Sequence, residues 1–185
     1  MRFLGVPYAT PRRYLSPGPV EPWDGERDAT RFAPPAPQAP RAMPGLDSAP
    51  LLGPGWHGEE PELALNVWTP DVAGSYPVMV DFHGGAFVAG TPSSPMYDGA
   101  AFARDGVVLV TVTYRLGIEG FLPLAGGDTN VGLRDQLAAL RWVQEEIAAF
   151  GGDPGNVTAF GQSAGAMSLG LLFSRLPGLA HRVIS

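Results

Sequence analysis

Ser163 sits in Gly161-Gln162-Ser163-Ala164-Gly165, with a β-rich stretch, residues 156–160, before it and the small or apolar residues Ala164, Ala166, Met167, Leu169 and Leu171 after it. A serine on a sharp strand-to-helix turn holds its hydroxyl clear of the backbone as a nucleophile, and the residues two positions to either side must be small for the turn to close. Gly161 and Gly165 meet that requirement. A helix beginning there would aim free N–H groups and the positive end of its dipole at the serine, where the oxygen of a tetrahedral intermediate gathers negative charge. The Ala164 N–H is the nearest such donor. In a chain with 25 glycines the pattern alone is weak evidence, and a serine that merely caps a helix fits it as well.

Asp81-Phe82-His83-Gly84-Gly85-Ala86-Phe87 adds the context: a strand end runs into two glycines and an alanine. Glycines let the backbone turn its N–H groups toward an anion without side-chain obstruction, which suits the second half of an oxyanion hole. Gly85 and Ala86 are the candidate donors, with Gly84 freeing the turn; a Gly-rich hairpin is the competing reading. His83 has no cysteine and no second histidine or carboxylate at ligand spacing, so it reads as structural, and neither a metal nor a cofactor is expected. Phe87 fits an acyl pocket and a core position equally well. Asp128, Asp153 and Asn156, set among glycines, read as turn or cap residues rather than cation ligands. Arg115 follows a buried strand and calls for an ion-pair partner.

These groups need elements to hold them. Residues 63–68, 77–83 and 107–114 read as strands, and the near-continuous apolar run at 107–112 predicts a strand covered on both faces. Leu133, Leu137, Leu140, Val143 and Ile147 recur at helical spacing, and Gly151-Gly152 end that helix. Residues 156–160 form the next strand, a second helix follows Ser163, and residues 179–185 approach a further strand. Strands alternating with helices predict an α/β fold over a single partial domain, 1–185. Fourteen of the 20 prolines lie in residues 1–70, so residues 1–62 are expected to form an irregular coat anchored by Tyr8, Tyr14, Trp23, Phe32 and Trp56.

Net charge is −6, and the 12 cations are all arginine and scattered, which argues against nucleic acid and anionic membranes as partners. No apolar run approaches the ~20 residues that span a bilayer. The chain has no cysteine, and with Met1 as the start it shows no secretory apolar stretch, so a cytoplasmic location is expected.

Taken together, "FLGVPYATP", "PWDGERDATRFAPPAPQ", "LALNVWTP", "VDFHGGAFVAG", "VTYRLGIEGFL" and "NVGLRDQLAALRWVQEEIAAFGGDPGNVTAFGQSAGA" resemble the type-B carboxylesterase/lipase family along nearly the whole chain. The resemblance implies an α/β-hydrolase fold, incomplete here, running through the nucleophile elbow. It implies Ser163 as acyl-forming nucleophile, Gly85, Ala86 and Ala164 as oxyanion donors, and a small-molecule carboxylic ester as substrate. Glu60-Pro61-Glu62-Leu63 stands where relatives often carry a cysteine, Gln162 replaces a frequent glutamate, and Ala159 is smaller than the usual strand residue. In this fold the triad acid and histidine follow the serine in the chain. Only His181 does so, 18 positions on, and it is a poor general base; His57 and His83 precede the elbow. The chain therefore reads as the N-terminal portion of a serine esterase, inactive alone. Two alternatives stay open: a noncatalytic binding or adhesion protein on the same fold, and one chain of an assembly whose second chain completes the sheet.

Overall fold

A computed structural model describes residues 1–39, 45, 53 and 55–185. Among these residues seven strands form one sheet: β1 (Arg2–Arg12), β2 (Leu15–Gly18), β3 (Leu63–Trp68), β4 (Tyr76–Phe82), β5 (Val108–Val112), β6 (Gly152–Gly161) and β7 (Arg182–Ile184). Their spatial order is β2-β1-β3-β5-β4-β6-β7. The first four in that order pair antiparallel; β5, β4, β6 and β7 run parallel.

Parallel strands need crossovers, and the crossovers here cover both faces. On one face Val78, Val80 and Phe82 of β4 and Val108, Val110 and Val112 of β5 meet Ala139, Leu140 and Val143 of α3 (Val131–Glu146) and Leu169 and Leu172 of α4 (Ala164–Leu172). On the other, Leu109 and Met79 pack with Trp68 and with Phe102 of the short helix α1 (Ala100–Arg104). Burial on both sides explains why residues 107–112, apolar but for Thr111, do not alternate with polar residues. A five-residue helix, α2 (Gly117–Phe121), lies between β5 and α3. The helix expected from the leucine spacing ends at Glu146, Ile147 opening a tighter 3₁₀ turn to Phe150. Gly151 then stops it with φ 78°, where a Cβ would strike the Asp71 carbonyl oxygen.

The irregular coat expected over 1–62 needs correction at its start. Residues 2–12 form the longest strand, paired on both sides, despite Pro7 and Pro11. The sheet accommodates the prolines by register shifts between Pro7 and Ala9 and between Thr10 and Arg12, so the missing donors fall at irregularities of the ladder. Tyr8 anchors the strand, its hydroxyl donating to the Thr113 carbonyl at 2.7 Å. From Pro19 to Ala39 the chain is irregular, as expected, apart from Thr30 bridging to Leu4. The parts of the coat at 40–44, 46–52 and 54 lie outside the described residues.

Arg115, just past β5, is 2% exposed and forks onto Asp135 of α3, which is fully buried. Its remaining donors reach the Arg12 and Leu15 carbonyls at 2.6 and 2.9 Å. One guanidinium thereby fastens β5, α3 and the β1–β2 hairpin together, the ion-pair role its position called for.

Candidate active site

Phe82 and Gly161 are opposite one another at the parallel ends of β4 and β6, so whatever follows the two strands emerges side by side. In open α/β sheets this end of the strands is where ligands bind. After β6 the chain reaches Ser163, whose φ of 54° and ψ of −118° lie outside the regions open to most L-residues. Helix α4 begins at the next residue, the Met167 N–H donating to the Ser163 carbonyl at 2.9 Å and the Gly165 N–H to that of Gln162 at 3.0 Å. A Cβ on Gly161 would come within 2.7 Å of the Gly165 carbonyl carbon and 2.9 Å of the Phe82 oxygen; one on Gly165 would overlap that same oxygen. The two glycines are therefore sterically obligatory, and the turn between them is pressed against the end of β4. Ser163 itself is exposed.

Helix α4 is pinned behind the turn. Ser168 Oγ donates to the Ala164 carbonyl at 2.9 Å and accepts from Gln136 Nε2 of α3 at 3.1 Å. Neither residue belongs to a motif that marks it in the sequence. Gln136 carried the available signal, being a polar side chain on the face shared by Leu133 and Leu140.

After β4 the chain enters a tight loop. Gly85, Ala86 and Phe87 have φ of 128°, 56° and 63°. The Gly85 carbonyl accepts from the Val88 and Ala89 N–H groups at 3.1 and 3.0 Å, and the Phe87 carbonyl from the Gly117 N–H at 2.7 Å. The N–H groups of Gly85 and Ala86 stay outside that network among the described residues. A Cβ on Gly84 would collide with the Gln162 side-chain oxygen, which fixes how closely the loop approaches the serine turn. All four candidate residues, Ser163, Ala164, Gly85 and Ala86, thus belong to two turns in direct contact.

His83 holds the base of the loop. It is buried, stacked on Tyr114 at 4.4 Å between ring centroids, and its Nδ1–H donates to the Gly84 carbonyl at 2.8 Å. A carbonyl can only accept, so Nδ1 carries the proton. Burial pushes its pKa down to about 4, leaving the ring neutral. The Tyr114 hydroxyl donates to the His83 carbonyl at 2.7 Å. Asp81, two residues earlier and given no role by the sequence, is 4% exposed with Oδ2 unpartnered, and burial raises its pKa to about 7.

The other candidates fall elsewhere. Phe87 sets its ring edge-on to Phe121 at 5.0 Å. Asp128 accepts from the Ser16 N–H and hydroxyl at 2.7 and 2.6 Å, bonds that hold its pKa down. Asp153 accepts from the Gly155 N–H at 2.8 Å, and Asn156 from Arg182 at 2.6 Å. His181 Nδ1 accepts from the Val157 N–H at 3.2 Å. That places His181 level with Val157, about 13 Å along β6 from the strand's end at Gly161, four residues on at about 3.3 Å each. His57 is exposed beside Glu59. Among the described residues no hydrogen bond joins Ser163 to either histidine. Among the described residues no cluster of three metal-ligating side chains occurs, and no helix is long and apolar enough to cross a membrane.

Comparison with known proteins adds to this geometry. The model of the Carboxylesterase family matches residues 1–185. Phenmedipham hydrolase from Pseudarthrobacter oxydans is 46% identical over 92% of the chain and 35% of its own length. Para-nitrobenzyl esterase from Bacillus subtilis is 44% identical over 94% of the chain and 36% of its own. A solved Geobacillus stearothermophilus carboxylesterase superposes with a TM-score of 0.85 at 43% identity, over 98% of the chain and 38% of its own length. The chain spans about a third of the length of the curated relatives it matches.

Proposed function

Since the chain belongs to the carboxylesterase family and adopts part of the α/β-hydrolase fold, we propose that Ser163 is the acyl-forming nucleophile of a carboxylic-ester hydrolase. Ser163 Oγ attacks the ester carbonyl, the oxyanion settles against the N–H groups of Gly85, Ala86 and Ala164, and the alcohol leaves as the acyl-serine forms. Water then attacks the acyl carbonyl, the carbonyl carbon–Oγ bond breaks, and the carboxylic acid leaves as the serine hydroxyl is restored. The single observation carrying this reading is the strained φ of Ser163 at a turn whose flanking glycines close against the strand feeding the Gly84–Phe87 loop. Backbone strain of this kind costs about 1–3 kcal/mol and persists where the surroundings over-determine it.

Oγ attack requires a base; His83 is engaged by the Gly84 carbonyl and His181 by the Val157 N–H, and neither is bonded to Ser163. We assign the general base and its orienting carboxylate to the part of the family's length that this chain does not span. Residues 1–185 then form part of one α/β-hydrolase domain in the complete esterase, with 63–185 carrying the elbow and the oxyanion loop.

A second reading concerns how the rest is supplied. Met167 and Leu171 of α4, Phe173 and Ile184 are 57–68% exposed, and β7 is the end strand of the sheet. Apolar surface of this kind calls for cover, which either continuous polypeptide or a second chain completing the sheet would provide. A noncatalytic adhesion role is disfavoured by the presence of Ser163 together with Gly84-Gly85-Ala86. A fluorophosphonate probe with p-nitrophenyl butyrate turnover, in the complete esterase and in the 185-residue chain, tests the assignment. Labelling and turnover lost in Ser163→Ala support it, and turnover by that variant at the unsubstituted rate defeats it.

A further inference from the structure

The loop that carries Gly85 and Ala86 is strained along its length. Gly85, Ala86, Phe87 and Gly90 all have positive φ, and two of the four are not glycine. Such a conformation persists only where surrounding contacts hold it. Its start is held by Tyr114 and His83, its tip by the Gly117 N–H on the Phe87 carbonyl. The neck is where the loop comes back on itself. A Cβ on Gly90 would strike the Gly84 carbonyl oxygen and approach His83 Nδ1 to 2.5 Å, and one on Gly85 would strike the Ala89 carbonyl. Backbone therefore lies on backbone with no side chain between.

One side chain closes that neck from outside. Gln38, in the irregular N-terminal segment, accepts from the Gly90 N–H through Oε1 at 2.9 Å and donates from Nε2 to the Gly90 carbonyl, also at 2.9 Å. The primary amide satisfies donor and acceptor of a single residue at once, which an ionised carboxylate, having no donor, cannot do. The other Nε2 hydrogen goes to the Ala36 carbonyl at 3.1 Å, which fixes the amide's rotation. Ala36 in turn is buried against Tyr114, the ring under His83. The strap at 36–38 therefore grips both ends of the loop.

We propose that Gln38 is a positioning residue for the oxyanion donors. Its amide locks the neck of the 84–90 loop and thereby holds the Gly85 and Ala86 N–H groups where developing negative charge needs them. The inference rests on the Ser163 reading for its catalytic consequence; its structural half stands apart from it. Oxyanion stabilisation acts only as charge develops, so loosening the donors lowers kcat and leaves substrate binding nearly unchanged.

Gln38→Met keeps the side chain's volume and removes all three bonds, and Gln38→Ala removes volume as well. In the complete esterase acting on p-nitrophenyl butyrate, both variants should lower kcat by about tenfold, short of the ~10²–10³ that follows outright loss of one donor, with KM within about twofold. Amide exchange of a peptide covering 84–90, read by mass spectrometry, should accelerate in both, while peptides from β4 and α3 stay unchanged. A merely space-filling role would spare Gln38→Met, so wild-type kcat and wild-type exchange in that variant overturn the proposal. Unchanged exchange with a lowered kcat overturns it too. Absence of esterase activity in the unsubstituted protein would instead refute the Ser163 reading, and the exchange comparison would still decide whether Gln38 holds the loop.

Discussion

Asp81→Asn should change how stability depends on pH, and the change can be worked from the structure. Asp81 lies on β4 level with Thr111 and Phe160 of the neighbouring strands, 4% exposed, and burial raises its pKa from 3.8 to about 7. Between pH 4 and 7 the folded chain keeps a proton that the unfolded chain releases, so stability falls as pH rises through that window and levels off above it. At about 1.4 kcal/mol per unit the full effect is about 4 kcal/mol. His83 works the other way. Its pKa drops from 6.5 to about 4, so its contribution is complete above pH 6.5 and is lost as pH falls toward 4, about 3 kcal/mol in all. In the unsubstituted protein the two slopes oppose one another between pH 4 and 6.5. Asparagine removes one slope, and the His83 slope then stands uncovered. Urea unfolding followed by circular dichroism at pH 4 to 8 reads this directly. The difference in unfolding free energy, Asp81→Asn minus wild type, should grow by about 4 kcal/mol from pH 4 to pH 8, whatever offset the buried amide adds. Parallel curves for the two proteins would refute the reasoning, since they would mean that Asp81 is as well solvated folded as unfolded.

Three further outcomes follow from the same contacts. Gly165→Ala places a Cβ on the Phe82 carbonyl oxygen, so the elbow must shift; fluorophosphonate labelling of Ser163 should fall at least tenfold and the thermal midpoint should drop. Asp135→Ala leaves Arg115 buried without its counter-charge and should cost about 3–5 kcal/mol in urea unfolding, the usual result of breaking one side of a buried pair. Gln136→Ala cuts the Ser168 tether behind α4 and should cost about 1 kcal/mol by the same assay, the net value of one buried hydrogen bond.

Much of the positioning frame was legible in the sequence because it rests on local chemistry. The near-continuous apolar run at 107–112 announced a strand covered on both faces, and Gly161 and Gly165 flanking Ser163 announced a turn that tolerates no side chain. What escaped depends on contacts between distant segments. Pro7 and Pro11 argue against a strand when taken alone; the register shifts that admit them to β1 exist only opposite β3 and β2. Gln38 is one polar residue among prolines until the fold brings it to Gly90, 52 positions along the chain. Asp81 looks like any strand residue with a polar side chain until its neighbours on β5 and β6 and the crossover segments bury it. Arg115 stood between the two, since a charge after a buried strand demands a partner without revealing that Asp135 supplies it.

The central claim is that Ser163 carries the acyl group. Its most direct test is peptide mapping of the complete esterase after reaction with a fluorophosphonate, alongside p-nitrophenyl butyrate turnover of Ser163→Ala. The account predicts a single phosphonyl adduct on Ser163 and loss of turnover in the alanine variant. An adduct on another residue, together with turnover undiminished in Ser163→Ala, would contradict it.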